Sequence, residues 1–137
     1  MTTDIEDLAG AWIEAWNSHD IEKIAALLAE DFIHEDVATG FVFRNRDELQ
    51  AGLSPLFAAC PDVNLELNSL FGTSDRLAQE WMMTGTQTGA FDDLGIPATG
   101  KNFSIRGVSI TEYHEGRITR NSDYWSLASM LQQLGQE

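Results

Sequence analysis

The sequence is short of thiols, of positive charge and of long apolar runs. With Cys60 as the only cysteine, no internal disulfide can form. Nothing near it in the chain supplies the electropositive surroundings of a reactive thiol, so it reads as a small buried hydrophobe. Lysine and arginine number 8 against 22 acidic residues, a formal net charge of −14. Nucleic acid and anionic membrane both need a basic footprint, so neither is an expected partner. The longest unbroken apolar run, Ile24–Ala29, is far shorter than the ~20 residues that span a bilayer. The opening residues lack the basic start and apolar stretch of an export signal, so a cytoplasmic protein is expected.

What is present is ordinary globular composition, 43% hydrophobic and 22% charged over 137 residues. That predicts a single domain, residues 1–137, with a core and one modest pocket. Thr3 and Glu6 predict a capping box for a helix carrying Ile5, Leu8, Ala9, Trp12 and Trp16 at helical spacing. Asp20 is a candidate cap for a second helix bearing Ile21, Ile24, Leu27 and Leu28 and ending near Glu30. A short strand is expected at Phe32–Val37. A third helix is expected from Arg46, capped by Asn45 and Glu48 and broken at Ser54-Pro55. Strands are then predicted at Val63–Phe71 and Leu77–Thr88, with a Gly/Asp/Pro-rich loop over Phe91–Asn102. A hairpin follows at Phe103–Tyr113 and Arg117–Trp125, turning at Glu115-Gly116. The apolar residues Phe103 and Ile105 differ in parity from Val108 and Ile110, which predicts a bulge near Gly107. A last helix starts near Ser126. The fold class is therefore α+β. A strongly bent, mostly antiparallel sheet wraps over three helices of the N-terminal half as a cone-shaped, barrel-like domain, closed by a short C-terminal helix.

Strand alternation selects the candidate chemistry. In Phe32-Ile33-His34-Glu35-Asp36, a buried Phe32 draws His34 and Asp36 to the same face, unless the strand frays and leaves both in solvent. In Asn121-Ser122-Asp123-Tyr124-Trp125, a buried Trp125 draws Asp123 and Asn121 inward. Asp123 could instead cap the last helix or pair with Arg120 or Arg106. Inside an apolar cone, burial raises a carboxyl pKa and suits it to acid–base work. Asp36 and Asp123 together would titrate as a coupled pair, and Asp123→Asn would cost no stability at neutral pH. A cap there would instead cost more than ~1 kcal/mol. Four tryptophans, Trp12, Trp16, Trp81 and Trp125, either fill the core or wall a pocket for a flat apolar ligand. Gly95–Lys101 matches a phosphate-loop start, but Asn102 replaces the magnesium-binding hydroxyl and a strand follows, so it is set aside. His19, His34 and His114 lack metal-ligand spacing, so neither metal nor cofactor is expected.

The pattern Trp12…Ala15-Trp16-Asn17…Asp20, then Asp31-Phe32, resembles the opening of nuclear transport factor 2-like domains. Further on, the chain resembles the SnoaL-like polyketide (ester) cyclase branch. The matching segments are Cys60-Pro61-Asp62, Gly85-Thr86-Gln87-Thr88-Gly89, Pro97–Lys101, Arg106-Gly107, Gly116-Arg117-Ile118 and Leu131–Gly135. The resemblance spans nearly the whole chain. It implies the bent-sheet cone and a superfamily of varied chemistry. Ketosteroid isomerases have their base aspartate at the position of Asp36 and a pocket tryptophan at Trp125. Their oxyanion-hole tyrosine and protonated aspartate fall at Trp12 and Val108, which lack those groups. Limonene-epoxide-hydrolase-like enzymes have a base at Asp123 and water-holding groups at His34 and Asp36. Many SnoaL-like relatives have an aspartate at Ser126, an arginine at Glu80 and a histidine at Gln87.

The expectation is cofactor-free acid–base catalysis by Asp123, Asp36 and His34. The pocket is expected to be lined by Trp12, Trp16, Phe32, Glu80, Trp81, Val108 and Trp125. Cyclase- or isomerase-type chemistry on a polyketide- or steroid-like carbonyl compound leads. Epoxide-hydrolase-like water activation and non-catalytic binding of a small hydrophobic molecule are the alternatives. A homodimer is expected, pairing through a sheet face with Val42, Leu67 and Met83 to cover.

Overall fold

Caps fix where the helices begin. In the computed structural model, which describes residues 4–136, the Asp4 side chain accepts from Glu6 N and opens α1, Ile5–Ser18. Thr3 lies outside the described residues. α1 buries Leu8, Ala9, Trp12 and Ala15 along one stripe. Asp20 caps α2, Ile21–Ala25, as its position predicts. This helix is shorter than the expected stretch to Glu30, because pairing with another strand claims the next residues. β1 starts at Leu28, runs to Asp36, and sets Leu28 opposite Ile118. After β2, Phe41–Phe43, Asn45 and Glu48 form the predicted cap of α3, Arg46–Ala59. That helix is not broken at Ser54-Pro55. Pro55 removes one backbone donor, but buried Leu49, Leu53 and Ala59 hold both halves against the core.

The rest is antiparallel: β3 Asn64–Gly72, β4 Arg76–Thr86, β5 Asn102–His114 and β6 Arg117–Trp125. Between β4 and β5, a short 3-10 turn at Asp92–Leu94 shapes the predicted loop. At Glu115-Gly116 both residues have positive φ (52° and 79°), the geometry of a tight hairpin turn. α4, Leu127–Gln133, follows its cap Ser126, whose Oγ accepts from Ser129 N. The sheet order is β2-β1-β6-β5-β4-β3, an open six-stranded mixed sheet in which only β1 and β6 are parallel.

Register sorts the side chains into cross-strand rows. On the inner face one row reads Phe43–His34–Asn121–Thr111–Leu77, and the next Phe41–Asp36–Asp123–Ser109–Gln79. A third places Gly107 between Trp125 and Trp81. β5 pairs with β4 without interruption from Asn102 to Glu112, so the predicted bulge at Gly107 is absent. Gly107 has a different reason. A Cβ there would strike the Trp81 ring, which lies across it. Alternation therefore runs straight through Phe103, Ile105, Gly107, Ser109 and Thr111, all buried, and turns Val108 and Ile110 outward. The outer face carries the row Phe71–Ala78–Ile110–Ser122–Glu35–Val42. Of the apolar residues expected on this face, Val42 is there. Leu67 and Met83 pair on the inner one, opposite Trp81 and Leu65 respectively. Among the described residues no helix is long and apolar enough to cross a membrane.

Two glycines test this packing in opposite directions. Gly107→Ala is expected to destabilise by ~1–3 kcal/mol, since Trp81 must shift. Gly10→Ala, in open space on α1, is expected to stabilise by up to ~1 kcal/mol. Urea denaturation of both variants reads the difference.

Candidate active site

Helices α1, α3 and α4 do not fill the concave side of the sheet, and a cavity of about 140 Å³ remains. All four tryptophans line it, with Asp36, Ser109 and Asp123 as polar groups of its sheet wall. Leu53, Leu56, Met83 and Met130 supply apolar surface. Thr39, Phe41, Asp92 and Asp93 are at its rim.

Asp123 is held by groups from β1, β5 and its own strand. Ser109 Oγ donates to Asp123 Oδ1 at 2.6 Å and Asn121 Nδ2 to the same oxygen at 2.8 Å. His34 Nε2 lies 3.3 Å from Oδ2. The tautomer follows from Asn121. Its Nδ2, a donor, faces His34 Nδ1 at 3.5 Å, so Nε2 carries the proton toward Asp123. Behind these groups Thr111 Oγ1 donates to Asn121 Oδ1 at 2.7 Å, and Trp81 Nε1 donates to Ser109 Oγ at 2.8 Å. Burial alone would push the Asp123 carboxyl up. His34, then Ser109 and Asn121, outweigh it and hold the group below the usual carboxylate range.

Asp36 sits beside Asp123 across the parallel β1–β6 pair. Its carboxyl is pushed above the ordinary value, first by burial and then by the Asp123 charge. Trp125 Nε1, donating to Oδ1 at 2.8 Å, offsets part of this. The expected coupled pair thus splits, with Asp36 the raised member and Asp123 the lowered one.

The structure brings most of the expected residues together. Trp12, Trp16, Asp36, Trp81, Asp123 and Trp125 meet at the cavity. His34 is one layer behind. It is 2% exposed, stacks on Phe43 at 6.0 Å, and touches Asp123 rather than Asp36. Phe32 is buried in the core with Trp12 and Leu53 instead of facing the cavity. Glu80 and Val108 correct the expected list, because both lie on the outer face, directly paired with each other. Glu80 there accepts from Ser69 Oγ at 2.5 Å. Asp123 neither caps α4, which Ser126 does, nor pairs with Arg120, which binds Glu35 at 2.9 Å. Sequence reasoning missed Ser109 because the assumed bulge reversed its parity. Unbroken alternation from Phe103 would have found it. Among the described residues no three His, Cys, Asp or Glu side chains gather as a metal site. Cys60 is fully buried, and burial, then Asp62, push its thiol up to about 11, unsuited to nucleophilic work.

An open bent sheet over helices, with two neighbouring carboxyl groups on its concave wall, places the chain among ketosteroid-isomerase-like folds. A protein from Catenulispora acidiphila DSM 44928, described with that fold and crystallised with trimethylamine, superposes with a TM-score of 0.81. It is 22% identical, over 95% of this chain and 93% of that one. The chain belongs to the SnoaL-like polyketide cyclase family, whose model matches residues 6–134. Cyclase aurE of Calcarisporium arbuscula is 30% identical over 111 residues, 78% of this chain and 77% of aurE. IdmH of Streptomyces antibioticus, proposed to be a polyketide cyclase, is 26% identical with a TM-score of 0.82, covering 97% of this chain and 99% of IdmH.

The two carboxylates contribute to stability with opposite signs. The fold favours ionised Asp123, so its contribution is present above the unfolded value near ~4 and lost as pH falls through the lower folded value. The fold disfavours ionised Asp36, so its cost appears as pH rises from ~4 through the raised folded value. Asp123→Asn is expected to lower stability at pH 7 by about 2 kcal/mol, through loss of charged hydrogen bonds. This reverses the expectation from sequence. Asp36→Asn should leave stability unchanged or improved. Urea titrations at pH 7 compare the two.

Proposed function

We propose that this chain catalyses cofactor-free acid–base chemistry on an apolar, carbonyl-bearing, polyketide-like molecule, of cyclase or isomerase type. One observation carries the reading. Two carboxylates of the same intrinsic acidity share one cavity wall, and their surroundings push them apart. Such divergence supports separate roles, with the lowered member the base and the raised member the acid. Asp123 takes a proton from a carbon beside a carbonyl. The electrons of that C–H bond pass into the enolate, whose oxygen accepts a hydrogen bond from protonated Asp36, which keeps its proton. In cyclisation the enolate carbon then attacks a second carbonyl, and the new alkoxide takes a proton, Asp123 returning the one it removed. A carboxylate held below its ordinary range is a weak base. The C–H it removes therefore needs strong activation, as between the two carbonyls of a 1,3-dicarbonyl unit. The cyclase name of aurE and the family model point the same way.

Turnover of soluble polyketide esters, ketosteroids and epoxides by the purified protein tests the reading. Asp123→Asn is expected to lower turnover of a 1,3-dicarbonyl substrate by roughly 10²–10⁴-fold. The pH–rate profile should be a bell, rising as Asp123 ionises and falling through the raised value of Asp36. Turnover of epoxides alone would replace cyclisation with water activation. Tight binding without product would mark a binding protein.

The outer sheet face supports a second part of the proposal, a homodimer. Phe71, Ile110 and Val42 lie in one row and Tyr124 beside it, with Phe71 69% and Tyr124 48% exposed. A second copy covers this face by two-fold pairing. Light scattering at micromolar concentration is expected to give twice the 15.2 kDa chain mass, and Ile110→Asp to return it to one. A wild-type monomer would overturn the pairing.

A further inference from the structure

The four cavity tryptophans differ in what their indole N–H groups do. Trp81 donates to Ser109 Oγ and Trp125 to Asp36 Oδ1, both at 2.8 Å. Trp16 Nε1 is enclosed and, among the described residues, has no acceptor. A buried indole N–H normally finds one. Three rings surround Trp16: Trp12 at 6.1 Å and 66°, Phe57 at 5.9 Å and 74°, His34 at 6.1 Å and 30°. The acceptor nitrogen of His34, Nδ1, already faces Asn121. Trp16 nevertheless lines the cavity and is only half-buried, and presenting its enclosed Nε1 to a ligand takes a turn of the ring. His34 links it to the chemistry, since the same imidazole that neighbours Trp16 holds Asp123 at 3.3 Å.

We propose that Trp16 is the carbonyl-binding residue of the cavity, its Nε1–H donating to the substrate oxygen whose adjoining carbon is presented to Asp123. The placement of that carbon rests on the acid–base reading above. The missing acceptor and the cavity carry the donor independently of it. An indole donates and cannot accept, so this position favours ketone and ester oxygens over hydrocarbon of the same shape.

Two probes matched in size separate the possibilities, 2-acetylnaphthalene and 2-ethylnaphthalene, titrated into full-length protein carrying ¹⁵N-labelled indoles. The Trp16 Nε1–H resonance is expected to move downfield with the ketone only, and the ketone to bind about fivefold tighter, the yield of one hydrogen bond. Trp16→Phe should remove that advantage and keep the affinity for the ethyl compound. Should this variant fail to fold, the wild-type resonance decides alone. Asp123→Asn should lose turnover yet keep the ketone-dependent shift, so failure of the catalytic reading leaves this result standing. Equal shifts for both probes, no binding of either at millimolar concentration, or a fivefold preference surviving in Trp16→Phe would overturn the proposal.

Discussion

The site depends on one electrostatic constraint, an ionised carboxylate in the wall of an apolar cavity. Desolvating such a group without compensation costs several kcal/mol. Asp123 is compensated by donors on three strands: His34 from β1, Ser109 from β5 and Asn121 from β6. No local segment can supply all three. Register alone delivers them, because parallel pairing of β1 with β6 sets His34 opposite Asn121, and antiparallel pairing sets Ser109 opposite Asp123. A one-residue slip in either pairing would turn a donor to the outer face. The same register puts Asp36 beside Asp123 and so raises the second carboxyl. The raised and the lowered carboxyl thus arise from a single alignment of strands.

Period-two alternation made much of this legible in the sequence. Phe32 and Trp125 each drew the right neighbours inward, and His34, Asp36 and Asp123 do converge. Alternation failed where an apolar residue was taken as a sign of burial. Val108 and Ile110 are apolar but lie outward, while Ser109 and Thr111 are polar and buried. Their burial is tolerable because each hydroxyl donates, to Asp123 and Asn121 respectively. Those partners are 14 and 10 residues away, beyond any local reading. The direction of the Asp123 shift was hidden for the same reason. Burial can be inferred from one strand, but compensation requires knowing the neighbouring strands.

Gly107 shows how a backbone requirement shapes the cavity. Trp81 lies across it because no Cβ intervenes, and in that position its N–H reaches Ser109. Ser109 then has its lone pair occupied by Trp81, which directs its own proton to Asp123. A glycine, a tryptophan and a serine therefore act in sequence on one carboxylate. Trp125 does the equivalent for Asp36 directly.

The positions where many SnoaL-like relatives are expected to differ from this chain have other duties here. Ser126 caps α4 through Ser129 N. Glu80 faces outward and binds Ser69. Gln87 is fully buried, accepts from Thr99 N and Oγ1, and donates to Pro97 O. That clamp fixes the base of the loop carrying Asp92–Leu94 to the cavity rim. None of the three is needed to hold Asp123 or Asp36, whose partners are all present. The hydrogen-bonding of the two carboxyl groups is therefore complete without the aspartate, arginine and histidine that the resemblance would place at these positions. Charge inside the cavity is correspondingly simpler, with carboxylates and no arginine or lysine among its lining groups. An anion bound in it would meet Asp123 with no lysine or arginine of the lining to offset the charge.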